Sequence, residues 1–112
     1  MPEFVRQAKI LAKRYKSFKS DLINLQASLL SSPELGIDLG NGVRKVRMAI
    51  ASKNRGKSHG ARVITFTYII NEENGVIDLI YIYDKSDTDN INSEFISTLV
   101  SEARDIAESD SK

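Results

Sequence analysis

Lys45 and Arg47 stand two residues apart in the segment VRKVRMAIAS, and Arg62 opens the later apolar run ARVITFTYII. Residues two apart on a β-strand project from one face. If these two segments pair as neighbouring strands, Lys45, Arg47 and Arg62 converge on a small area. Converging cations can hold several phosphates and stabilise charge on a pentavalent phosphorane. Arg44 precedes the pair, and the segment SKNRGKSHG between the strands adds Lys53, Arg55, Lys57 and His59. A histidine in a basic loop is a candidate proton shuttle. Tyr81, Tyr83 and Lys85 occupy alternate positions of VIDLIYIYDK, and tyrosines beside cations can stack on bases. The plainer alternatives are a solvated basic sheet face and an aromatic pair at the edge of the core.

Three other motifs fail. Gly56–Lys57–Ser58 resembles the end of a phosphate-binding loop, but that motif needs glycine where Ala51 stands, and a strand follows instead of a helix. Asp84, Asp87 and Asp89 suggest a calcium loop. Counted from Asp87, the required glycine is Asn92 and the terminal glutamate is Thr98. Helix capping is the simpler use of these acids. One histidine and no cysteine leave no pattern for a zinc site, and no metal or other cofactor is expected.

The elements that must position the cations follow from periodicity. Phe4, Ala8, Leu11, Ala12 and Tyr15 predict a helix over 4–16. Leu22, Leu25, Leu29 and Leu30 predict a second over 18–31, capped by Ser17 or Ser20. Pro33 suits the start of one more short turn, ended by Gly36. After the turn residues 38–42 the period changes from 3.6 to 2. Residues 43–51, 61–70 and 76–83 read as strands, with Asn74–Gly75 as a hairpin turn. Phe95, Ile96, Leu99, Val100, Ala103 and Ile106 predict a helix over 92–108, with a tail that frays from Glu108. The expected class is α+β: two N-terminal helices packed on a three-strand antiparallel meander, a C-terminal helix, and all helices on one face.

The 112 residues suggest one domain, spanning 1–112. The net charge of +1 hides an asymmetry. Residues 1–70 carry 13 Lys or Arg against 4 acids, a net +9, and residues 71–112 carry 3 against 11, a net −8. No acid falls between Asp38 and Glu72. Such a field attracts polyanions. The absence of cysteine fits a reducing compartment. No apolar run approaches the ~18 residues that cross a bilayer, and the N-terminus lacks the apolar core of a secretory signal. A cytoplasmic protein without membrane contact is expected.

VRKVRMAIASKNRGKSHGARVITF, followed by VIDLIYIYDKSD, resembles the strand core of the RelE/HigB-like toxins of bacterial toxin–antitoxin pairs. LAKRYKSFKSDL and SSPELGIDLGNG are similar to that family's helices and following turn. The resemblance spans nearly the whole chain. It is specific in the combination of KVRMA, basic loop, GARVI and IYIYDK, and weak in any single piece. It implies a metal-independent, ribosome-dependent mRNA endonuclease silenced by a cognate antitoxin. By resemblance, Lys45 and Arg47 match two basic strand positions of the active site. Arg62 matches the arginine of the next strand, and Lys85 a basic position after the last. Arg44, Lys53, Arg55, Lys57 and His59 become expected RNA contacts. The antitoxin is expected to lay an acidic or amphipathic segment over the basic face or an exposed sheet edge.

There are two departures. RelE has an arginine directly after the residue matched by Lys85, and a catalytic tyrosine further on. Residues Ser86 to Asn92 hold neither, and Tyr83 is the candidate to stand in. Family members also usually begin with a strand, where this chain reads as helix almost from its start. Two alternatives stand beside this reading: a ParE-like inhibitor of DNA gyrase on the same fold, and, motivated by the missing tyrosine, a catalytically degenerate module that only binds its partner or nucleic acid.

Overall fold

The computed structural model describes residues 2–54, 56, 59–69, 75–88 and 90–110. The elements run α1 (Pro2–Arg14), α2 (Phe18–Ser31), β1 (Ile37–Gly40), β2 (Val43–Met48), a 3-10 turn (Ala51–Lys53), β3 (Ala61–Ile69), β4 (Gly75–Asp84) and α3 (Ser93–Asp110). The class is α+β, as periodicity predicts. The sheet has four antiparallel strands in the order β1-β2-β3-β4, one more than expected. The additional strand is β1, formed by residues that look like turn. All four of its residues are exposed, so it shows no burial alternation to read.

The strand faces divide two cores. Val46, Met48, Ala61, Val63 and Ile82 pack with Phe4, Leu11, Phe18, Leu25 and Leu29 of the N-terminal helices. Val43, Ile64, Phe66 and Ile80 pack on the other face with Leu99, Val100 and Ala103 of α3. The helices therefore cover both faces, contrary to the one-sided expectation. Fully burying one such aliphatic side chain stabilises by roughly 1.5–3 kcal/mol, which is enough to hold α3 against its own face. That helix continues through Asp110, past the point at which the sequence suggests fraying. Its start is capped by Asn92, whose Oδ1 accepts the Phe95 N–H at 2.9 Å.

Ser17 stands at the N-cap position of α2 but makes no capping bond. Its hydroxyl donates to Asp21 Oδ2 at 2.7 Å and accepts from the Ser52 N–H at 2.9 Å. Asp21 Oδ2 also accepts the Ala51 N–H at 3.1 Å. The 3-10 turn, absent from the periodicity reading, is thus fastened to the start of α2. Two glycines permit close backbone approach. A Cβ on Gly36, whose φ is +89°, would strike the Lys45 carbonyl, and one on Gly60 would strike that of Met48.

Candidate functional site

Alternation along β2 puts Lys45 and Arg47 on the α3 side of the sheet, while Val46 and Met48 face α1 and α2. Register places Arg47 opposite Arg62, and Arg62 opposite Tyr83. Lys45 faces Ile64, which faces Tyr81. Tyr81 and Tyr83 reach this side because of a bulge. The β3–β4 register shifts between Ile64 and Thr65, with partners Tyr81 and Leu79. The extra residue, Ile80, fills the α3 core, and the side-chain parity of β4 reverses beyond it.

Lys45, Arg47, Arg62 and Lys85 line one groove of about 1130 Å3. Pairing between β1 and β2 ends at Lys45, so the edge of β2 from Val46 onward opens into it. The opposite wall is α2, through residues including Asn24 and Ser28. The sequence offers α2 only as an apolar stripe. Its polar side, on which Asn24, Ser28 and Ser31 recur at helical spacing, was the signal that it forms a wall. Among the described residues, the groove lining contains cations and one carboxylate, Asp21, but no histidine.

Arg62 is buried, with its Nη1 donating to the Ala61 carbonyl at 3.2 Å. Burial holds its pKa below the ordinary arginine value, and the Arg47 charge adds to this. Tyr83 is 5% exposed, and its hydroxyl makes no hydrogen bond among the described residues. Burial raises the phenol pKa against the opposing charge of Arg62, so this hydroxyl is a proton donor near neutrality. Tyr81 packs edge-on against Phe95 of α3, with ring centroids 5.0 Å apart. Lys45 Nζ donates to Asn90 Oδ1 at 3.4 Å.

Other expected contacts are placed elsewhere. Arg44 lies on the opposite sheet face, where its guanidinium donates to the carbonyls of Leu35 and Gly36, each at 3.0 Å. Lys53 also turns inward. Its Nζ donates to Asp84 Oδ1 at 2.6 Å, Ser86 Oγ at 2.7 Å and the His59 carbonyl at 2.8 Å. Both are structural ties, although the sequence offers them as RNA contacts. His59 is exposed and is not part of the groove lining. Arg55 and Lys57, together with Asn74 of the expected hairpin turn and Asp89 of the acidic run, lie outside the described residues.

Asp84 is the anchor that the sequence does not disclose. Read as a helix-capping acid, it is 2% exposed beneath α1. It accepts hydrogen bonds from Arg14, the Tyr15 hydroxyl, Lys53 and the Ser86 N–H. Burial alone would raise its pKa. The bonds from Lys53, Tyr15 and Ser86 outweigh that and hold it well below the usual carboxylate range. The cluster joins α1, the 3-10 turn and the end of β4, next to Lys85.

No protein family, curated protein or solved structure matches the chain. Among the described residues, no helix is long and apolar enough to cross a membrane, and no acid or histidine cluster could hold a metal ion.

Proposed function

We propose that this protein binds the backbone of RNA along the groove beside β2 and cleaves it, as a metal-independent endoribonuclease of the RelE/HigB toxin type acting on ribosome-bound mRNA in the cytoplasm. The observation that carries the reading is the cross-strand pair Arg47 and Arg62, lining one groove with Lys45 and Lys85. Like charges set opposite each other destabilise a sheet. A polyanion along the groove meets both guanidinium groups, and the four cations that line it among the described residues match a short run of phosphates.

In the proposed reaction the 2′-hydroxyl attacks its own phosphate. The products are a 2′,3′-cyclic phosphate and a 5′-hydroxyl end. Arg62 and Arg47 stabilise the charge of the phosphorane. Lys45 or Lys85 assists removal of the 2′ proton, and the Tyr83 phenol, buried outside the groove lining, supplies a proton to the departing 5′ oxygen once RNA binding uncovers it. A cognate antitoxin would silence the protein by covering the basic face.

The histidine-free groove lining and the buried Tyr83 hydroxyl favour a second reading, in which the groove binds RNA without cutting it. A ribosome-containing translation reaction separates the two. The first reading expects mRNA cleavage by the intact chain, reduced about a hundredfold in Arg47→Ala. Binding of short RNA without cleavage supports the second. No binding and no cleavage would overturn both.

A further inference from the structure

Helix α2 carries apolar residues on two opposite sides. Phe18, Leu25 and Leu29 are buried in the core. On the far side Ile23, Ala27 and Leu30 follow at spacings of four and three, which aligns them along the helix. Ile23 is 64% exposed and Leu30 83%, the most exposed of the large hydrophobic residues among the described ones. Single exposed aliphatics are ordinary on protein surfaces. Here two of them flank a small residue on one helix face, with a charge beyond each end. Lys19 lies one turn before Ile23, and exposed Glu34 lies just past the helix end. Neither forms an ion pair within the described residues.

We propose that this face is a contact between two copies of the chain, packed as an antiparallel α2 pair. A two-fold axis between Gln26 and Ala27 sets Ile23 of one copy against Leu30 of the other. The same axis brings the first turn of one α2, with Lys19, beside the chain just past the end of the other, where Glu34 stands. Each contact occurs twice in such an interface, giving two apolar contacts and two ion pairs. Ala27 beside the axis, where this face meets the rim of the groove, allows the helices to approach closely. A parallel pair would set Lys19 against Lys19 and Glu34 against Glu34, so charge selects the antiparallel arrangement. One helix pair covers less than the ~1,200 Å2 of a stable interface. The dimer is therefore weak, with a dissociation constant on the order of 10–100 µM.

Sedimentation velocity of the full chain over a concentration series up to about 1 mM tests this. A reversible monomer–dimer equilibrium is expected. Leu30→Glu, at a position outside the core, abolishes the dimer while circular dichroism stays unchanged. Lys19→Glu and Glu34→Lys each turn two attractions into repulsions and raise the dissociation constant about tenfold. The double variant Lys19→Glu/Glu34→Lys restores it. A chain that stays monomeric at the top concentration overturns the proposal, leaving the face to a different partner. So does a dimer that survives Leu30→Glu, or one indifferent to the single charge reversals.

Discussion

Arg47 and Arg62 are direct partners across β2 and β3, so two guanidinium side chains share one row of the sheet. Arg47 is exposed and Arg62 is buried. The buried member bears the consequence, its pKa lowered by burial and then by its neighbour's charge. Relieving the repulsion should help folding. Arg47→Ala is expected to raise stability by about 0.5 kcal/mol, read as a higher urea midpoint. The same variant should bind short RNA about tenfold more weakly, with a salt slope shallower by about one. A variant both less stable and equally tight in binding would contradict the geometry and the function together.

Asp84 gives the fold an acid-sensitive clamp. Its folded pKa is depressed below the ordinary value, so its contribution is present above the unfolded pKa of about 4. That contribution is lost as pH falls from there through the depressed native value. Melting temperature should therefore drop steeply between about pH 4 and pH 2. Asp84→Asn keeps the shape but removes the charge that Lys53 and Arg14 face. It is expected to cost about 3–5 kcal/mol at neutral pH and to flatten the acid limb. An equally steep acid limb in the variant would assign the effect to other carboxylates.

The parts of the fold legible in the sequence were those with a strong period. The helical stripe of Phe4, Ala8 and Leu11 and the alternation of Val46 and Met48 each pointed to the correct element and the correct buried side. Strand β1 was hidden because Ile37–Gly40 buries nothing and its glycine-rich flanks look like turn. The bulge at Ile80 was hidden because a reversal of parity inside an unbroken apolar run leaves no mark in residue type. Lys53 and Asp84 show the same limit for charge. Thirty-one residues apart, one looks like a loop cation and the other like a capping acid. Only the approach of the 3-10 turn to the end of β4 makes them a buried pair.

Lys45 and Lys53 look alike in the sequence and should behave oppositely. Lys53→Met removes the cation from a buried carboxylate, leaves Asp84 poorly compensated, and is expected to destabilise by about 3 kcal/mol. Lys45→Met removes a groove-lining ammonium held by one long hydrogen bond. It should change stability by less than about 0.5 kcal/mol while weakening RNA binding several-fold. Denaturant midpoints and RNA titrations on the two variants check the contrast. Equal losses of stability would mean that Lys45 also has a structural role.

Tyr83 allows stability and catalysis to be separated at a single atom. Its hydroxyl is buried without a hydrogen-bond partner among the described residues, and a buried polar group left unsatisfied costs about 1–3 kcal/mol. Tyr83→Phe deletes that group and keeps the ring beside Tyr81, 6.3 Å away between centroids. The variant is expected to be more stable by about 1 kcal/mol. Natural sequences retain such a liability where function needs it. Near neutrality the raised phenol pKa keeps the proton in place for donation. RNA affinity should therefore hold in Tyr83→Phe while cleavage falls by about 10²-fold. Single-turnover cleavage at saturating RNA, beside urea denaturation, measures both effects. A stabilised variant that cleaves at the native rate would remove Tyr83 from the proton path and leave its hydroxyl as a plain packing defect.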